Sequence, residues 1–110
     1  MKRVEVWTVA GGPDYVGKPR PAVIIQDDHF NTGSVTICPF TTDPTDAPLL
    51  RLQVEPSTEN GLHERSKLMV DKITTVSRAK LGDRAGRLTA VDTIRLNRAI
   101  FVFLGLSSAG

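Results

Sequence analysis

Between Val4 and Ile73 the apolar residues fall into short runs of strand length, each ended by a segment dense in Gly, Pro, Asp, Asn or Thr. Runs this short, rich in β-branched residues and bounded by turn formers, point to antiparallel strands joined by loops. They are Val4 to Val9 (VEVWTV), Ala22 to Gln26 (AVIIQ), Val35 to Phe40 (VTICPF), the alternating Leu50, Leu52 and Val54, and Ser66 to Ile73 (SKLMVDKI). Residues 10–21 hold three glycines and three prolines, too much punctuation for a helix or strand and enough length for a functional loop. The last third changes period. Thr89 and Asp92 fit a capping box, Val91, Ile94, Leu96, Ile100, Phe103 and Leu104 recur at near-helical spacing, and Gly105 can close the end. At 110 residues the chain has material for one domain, spanning residues 1–110. The order of elements predicts a mainly β protein, a small antiparallel barrel or sheet with one helix packed on it.

Several function classes lack their residues. Cys38 is the one cysteine, so there is neither a disulfide framework nor a Cys/His cluster for zinc, and its place in an apolar strand reads as an inert core thiol. His29 and His63 read as solvated loop residues. GxSxG, GxxxxGK[ST], HExxH and GxGxxG are all missing. No signal-like segment or membrane-length apolar run occurs, and a cytoplasmic protein is expected. Net charge is only +2, but residues 1–55 carry five basic and seven acidic side chains, whereas residues 56–110 carry nine basic and five acidic. The nine all lie between Arg65 and Arg98. That series reads either as a phosphate-binding surface, as a solvated face, or as the contact for an acidic partner.

Two features remain. Gly17-Lys-Pro-Arg-Pro21 stiffens the backbone around Lys18 and Arg20 just before one apolar run, and Phe40-Thr-Thr-Asp43 ends the next. If these runs pair as a hairpin, Arg20 and Thr41 meet at the same end. A guanidinium beside a hydroxyl suits a phosphate. The alternative is an Arg20 salt bridge beside a threonine that only ends a strand.

GKPRPAVIIQDD followed by VTICPFTT resembles the core of the MazF/PemK/Kid family of toxin endoribonucleases. VEVWTV, SKLMVDKITTVSRAKLGDRAGRL and the terminal helix fall in the order of the same plan, over residues 3–106. The resemblance implies an SH3-like antiparallel barrel with a C-terminal helix, working as a homodimer without metal or other cofactor. It implies cleavage of single-stranded RNA by attack of the 2′-OH on the adjacent phosphorus, leaving a 2′,3′-cyclic phosphate and a 5′-OH. Arg20 and Thr41 match the family's active-site Arg and Thr. Such chemistry needs no protein nucleophile, because positioning and charge stabilisation carry it. RNA contacts are expected from Asp14, Tyr15 and Lys18 in the first loop, with Tyr15 stacking on a base, and from Gln26, Asp27, Thr42 and Lys72. Asp27, Asp28 and His29 read either as proton-transfer partners or as turn residues. The implied partner besides RNA is a MazE-like antitoxin with an acidic C-terminal segment. Where the family often opens with Arg-Gly-Asp, this chain has Arg3-Val-Glu5.

The competing expectation on the same barrel is a non-enzymatic, CcdB-like gyrase poison, or a small binding module. CcdB-like proteins act through a tryptophan near the C-terminus. The tryptophan of this chain is Trp7, in the first strand, where a core role is expected.

Overall fold

The computed structural model describes residues 1–11 and 18–106. Within them run β1 (Glu5–Val9), β2 (Arg20–Ile24), β3 (Ser34–Thr41), β4 (Arg51–Val54), β5 (Ser66–Met69), β6 (Thr74–Ser77), β7 (Leu81–Arg87) and α1 (Ala90–Phe103). The strands form one seven-stranded sheet in the order β4-β5-β3-β2-β1-β7, with β6 also paired to β3. Every pairing is antiparallel.

The expected β-plus-helix class holds, but the sheet is not closed by hydrogen bonds. Its two ends are brought together by a loop. The connection between β4 and β5 reaches β7, where Arg87 N–H donates to Glu59 O at 2.8 Å. The approach is close enough to need glycine: a Cβ on Gly86 would sit 2.3 Å from Glu59 O, and one on Gly61, whose φ is +71°, would sit 2.1 Å from Ala85 O. This gives the sheet a barrel-like plan and covers part of the β7 edge.

Asn60 is the knot of that loop. It is fully buried; its Oδ1 accepts from Ser57 N at 3.0 Å and Leu62 N at 2.9 Å, and its Nδ2 donates to Glu55 O at 2.8 Å. Asn60→Ala leaves those three backbone groups without their partner in a dry site, and a destabilisation of about 3 kcal/mol is expected in a urea melt. A loss under about 1 kcal/mol would show that the loop does not hold the sheet ends together.

Alternation along the strands builds two apolar clusters. One face gives Val6, Val23, Cys38, Phe40 and Leu68, which meet Leu96 of α1. The other gives Val9, Ala22, Ile24, Val35 and Ile37, packed by Trp7, Val76 and Leu81. Trp7 thus has the expected core role, with Nε1 donating to Glu5 Oε1 at 3.0 Å. The α1 start is as read: Thr89 Oγ1 accepts from Asp92 N at 3.1 Å. Only half of the capping box forms, because the Asp92 carboxylate turns to Arg95 Nη1 at 2.6 Å.

Three differences from expectation have local causes. The run Ser66 to Ile73 stops being strand at Met69 and becomes a 3-10 turn over Val70–Lys72. The β6 strand follows immediately, and β7 forms despite two glycines and little apolar alternation. At β7 the side chain of Thr8 stands in for backbone, its Oγ1 accepting from Asp83 N at 2.8 Å across the register shift in β1. Val4 has a φ of 63°, an uncommon conformation for a β-branched residue. It stands at the middle of the Arg3-Val-Glu5 stretch, held by Val4 N to Ile24 O at 2.7 Å and Leu88 N to Val4 O at 2.9 Å.

Candidate active site

The β2–β3 ladder pairs Ala22 with Pro39, Val23 with Cys38 and Ile24 with Ile37. Continued by two residues, this register sets Arg20 opposite Thr41, at the end of the hairpin remote from its turn. Arg20, Ala22 and Ile24 share a face with Ile37, Pro39 and Thr41. Ala22, Ile24 and Ile37 are buried there, while Arg20 at the strand end is exposed.

A cleft of about 370 Å³ opens at that end over an apolar floor that includes Val9, Ala22, Ile37 and Pro39. Among the described residues its charged lining is Arg20, Lys72 and Lys80. An apolar floor under three cations suits a ligand with flat apolar groups on a phosphate backbone. Arg20 is not isolated; it is engaged with other groups of the chain.

Thr41 lines a second depression, of about 200 Å³, that starts one residue beyond Phe40 of the cleft. Thr42, Asp43, Gln53, Arg65 and Lys67 complete its polar walls. The Thr41 hydroxyl oxygen accepts from Asp43 N at 3.1 Å, which leaves its own proton for donation elsewhere. Asp43 in turn accepts from the Thr45 hydroxyl at 2.7 Å and the Thr45 N–H at 2.9 Å. These bonds, with the charges of Arg51 and Lys67, lower the Asp43 pKa. Lys67 Nζ ties the same loop down through Thr45 O at 2.8 Å. The Arg20 and Thr41 positions therefore open onto adjoining depressions and not into one shared cavity.

Lys72 stands on the 3-10 turn and lines the cleft, and Thr42 lines the second depression beside Thr41. Lys18 is exposed two residues before Arg20, at the same strand end. Asp14 and Tyr15 lie outside the described residues. Gln26 and Asp27 are at the other end of the hairpin, about six residues or ~20 Å of strand from Arg20. The Gln26 amide spans the hairpin turn, donating to Phe30 O at 2.8 Å and Thr32 Oγ1 at 3.0 Å and accepting from Thr36 N at 3.1 Å. Asp27 accepts from His29 N at 2.8 Å and Asp28 from Arg3 N at 2.6 Å, so both carboxylates hold main chain there.

The basic series from Arg65 to Arg98 is not one surface. Lys72 and Lys80 face the cleft, Arg65 and Lys67 the second depression, and Arg78 the far hairpin end, where its Nε donates to Thr32 O. Arg84 pairs with Glu5 at 2.9 Å and Arg95 with Asp92 at 2.6 Å. Lys80 is the cleft residue that sequence reasoning did not single out. It arrives there because Ala10 N donates to Lys80 O at 2.8 Å, a contact no local pattern announces. Cys38 is a core thiol as expected; burial, helped by the Asp71 charge, pushes its pKa up to about 12. Among the described residues no group of three or more His, Cys, Asp or Glu side chains is placed to hold a metal ion, and no helix is long and apolar enough to cross a membrane.

Residues 2–104 match the family described as the PemK-like, MazF-like toxin of type II toxin-antitoxin systems. A relative from Mycolicibacterium smegmatis, a probable endoribonuclease MazF, is 53% identical over 108 residues, covering 97% of this chain and 99% of its own length. The endoribonuclease MazF9 of Mycobacterium tuberculosis is 29% identical over 119 residues, 98% and 99% of the two chains. Two solved structures show the fold at lower identity. A mycobacterial endoribonuclease in complex with its cognate antitoxin superposes with a TM-score of 0.79 at 24% identity, covering 97% of each chain. The Mycobacterium tuberculosis toxin MazF-mt6 gives 0.76 at 24% identity, over 93% of this chain and 98% of its own. The family match defines the class of protein, a toxin of a type II toxin–antitoxin system. The chain belongs to the PemK-like, MazF-like toxin family of type II toxin–antitoxin systems, as a MazF-family endoribonuclease.

Proposed function

We propose that this chain cuts single-stranded RNA by transesterification within the substrate, with Arg20 and Thr41 as the catalytic residues. The observation that carries the reading is the cleft whose described charged residues are Arg20, Lys72 and Lys80 over an apolar floor, at the strand end where the β2–β3 register, continued two residues past Ala22–Pro39, would set Arg20 opposite Thr41. The substrate's 2′-oxygen forms the new bond to phosphorus while the bond to the 5′-oxygen breaks. The proton leaves the 2′-OH and one is delivered to the departing 5′-oxygen, so the products carry a 2′,3′-cyclic phosphate and a 5′-OH. Arg20 holds the non-bridging oxygens as charge builds on them, and the Thr41 O–H donates from the adjoining depression to a phosphorane that lies across the boundary between the two. Lys18, Lys72 and Lys80 hold neighbouring phosphates, and the apolar floor receives a base. Thr42 lines the adjoining depression and meets the next nucleotide. No metal is required, because both the nucleophile and the leaving group belong to the RNA.

The same three cations suit the acidic C-terminal segment of a MazE-like antitoxin, which would compete with RNA for the cleft. Two of the solved relatives described as complexes, the mycobacterial toxin above and MazE–MazF from Deinococcus radiodurans, hold antitoxins. The outer side of α1 leaves Val91, Ile94 and Phe101 more than half exposed, and homodimerisation covers that surface in this reading.

The test is incubation of purified protein with a defined single-stranded RNA in EDTA, followed by end-group analysis. Fragments ending in cyclic phosphate and 5′-OH are expected. Intact RNA together with inhibition of DNA gyrase would replace the nuclease reading by a poison on the same fold.

A further inference from the structure

One wall of the cleft stands where the sheet is interrupted. The outer edge of β3 pairs with β6 over Ser34–Ile37 and with β5 over Phe40–Thr41. Cys38 and Pro39 lie between the two ladders, and Pro39 has no N–H to give. Opposite that gap the chain leaves β5, makes the Val70–Lys72 turn and enters β6, and from this stretch Met69, Lys72 and Thr74 line the cleft. Three contacts hold it. Val70 is buried in the core, its N–H donates to Leu50 O at 2.9 Å, and Asp71 receives a two-pronged bridge from Arg51, Nε to Oδ1 at 2.9 Å and Nη2 to Oδ2 at 3.1 Å. Among the described residues no side chain caps the turn at Met69. The Arg51 and Asp71 side chains are about one-fifth exposed, so the fork is partly shielded from water.

We infer that the Arg51–Asp71 bridge is the positioning device of the RNA cleft: it fixes the turn that presents Lys72 to the RNA backbone. This rests on the reading of the cleft as the RNA site. Arg51 and Asp71 are positioning residues, because they act through Lys72 and do not line the cleft. The inference makes a prediction opposite in sign to simple electrostatics. Asp71 is an anion adjacent to Lys72, and removing an anion near a polyanion's path should tighten binding. If the bridge positions Lys72, removing it weakens binding instead.

The experiment measures the affinity of a short mixed-sequence RNA, fully 2′-O-methylated and so uncleavable, across a salt series. Lys72→Ala is expected to weaken binding and to flatten the slope of log affinity against log salt by about 0.7, one phosphate's worth for a single strand. Asp71→Asn is expected to weaken binding roughly threefold to tenfold and to flatten the slope likewise, yet to add nothing in a Lys72→Ala background. Arg51→Lys keeps the charge but loses the fork, and should behave like Asp71→Asn; it decides the matter if the latter does not fold. Tighter or unchanged binding in both variants, or losses that add to that of Lys72→Ala, would overturn the positioning role while leaving the RNA cleft intact. No effect of Lys72→Ala alone would overturn the cleft reading and the inference with it.

Discussion

Arg20→Ala is expected to lower the cleavage rate constant by about 10²- to 10³-fold if Arg20 has the proposed catalytic role, the cost typical of removing one preorganised donor to a charged transition state. The effect should fall on the chemical step more than on affinity, since Lys72 and Lys80 line the same cleft and in the proposed reading would still hold the strand. Arg20→Lys restores a charge but not the planar fork that meets two oxygens at once, and an intermediate rate is expected. Because Arg20 is exposed at the start of β2, losing its contacts should cost the alanine variant no more than about 1 kcal/mol, and it should still fold. Single-turnover cleavage with a urea melt on the same preparation gives both numbers. A folded Arg20→Ala protein that cuts at the parental rate would remove Arg20 from the catalytic site and leave Thr41 without its partner.

Leu96→Ala carries the largest expected stability loss, about 3–4 kcal/mol, against a total of roughly 5–15 kcal/mol for a domain. Leu96 is the one fully buried residue of α1, and it enters the cluster that also contains Val4, Leu68, Val70 and Leu88. Half-buried Ala99 and Ile100 cannot replace that anchor. The loss should reach the cleft as well, because Val70 begins the turn that carries Lys72. The control is Val91→Ala on the same helix, 68% exposed, for which a change below about 0.5 kcal/mol is expected in dilute solution. Equal losses for the two variants would show that the helix is held by its outer side instead.

The β2–β3 hairpin was legible because both strands are apolar runs flanking a polar turn, and antiparallel pairing then brings the start of β2 and the end of β3 to the same end of the hairpin. Thr89 was legible for a similarly local reason, a hydroxyl three residues before the N–H it accepts from. The β7 strand was not. Its sequence, LGDRAGR, has no apolar alternation, since it lies at the sheet edge and takes its place from Thr8 and from the loop around Asn60. Nor did the apolar run through SKLMVDKI show its break at Met69, which depends on Val70 entering the core and on Arg51, distant in sequence, reaching Asp71. Gln26 and Asp27 follow a strand whose other end holds Arg20, and their side chains are taken up by the hairpin turn. Lys80 reached the cleft through a main-chain contact with Ala10 that side-chain patterning does not encode.

The pairing of β1 with β7 has a consequence for synthesis. Glu5 lies opposite Arg87, so β1 keeps one edge unpaired until β7 has been made. The loop that draws the sheet ends together likewise waits for Gly86 and Arg87. Contacts this distant in sequence are slow to form, and none of them rewards a partial chain. A nascent copy interrupted before residue 87 lacks the strand that completes its sheet, together with the helix that buries Leu96. Assembly of the cleft therefore waits for Lys80, which lines it, and for the β7 strand that follows.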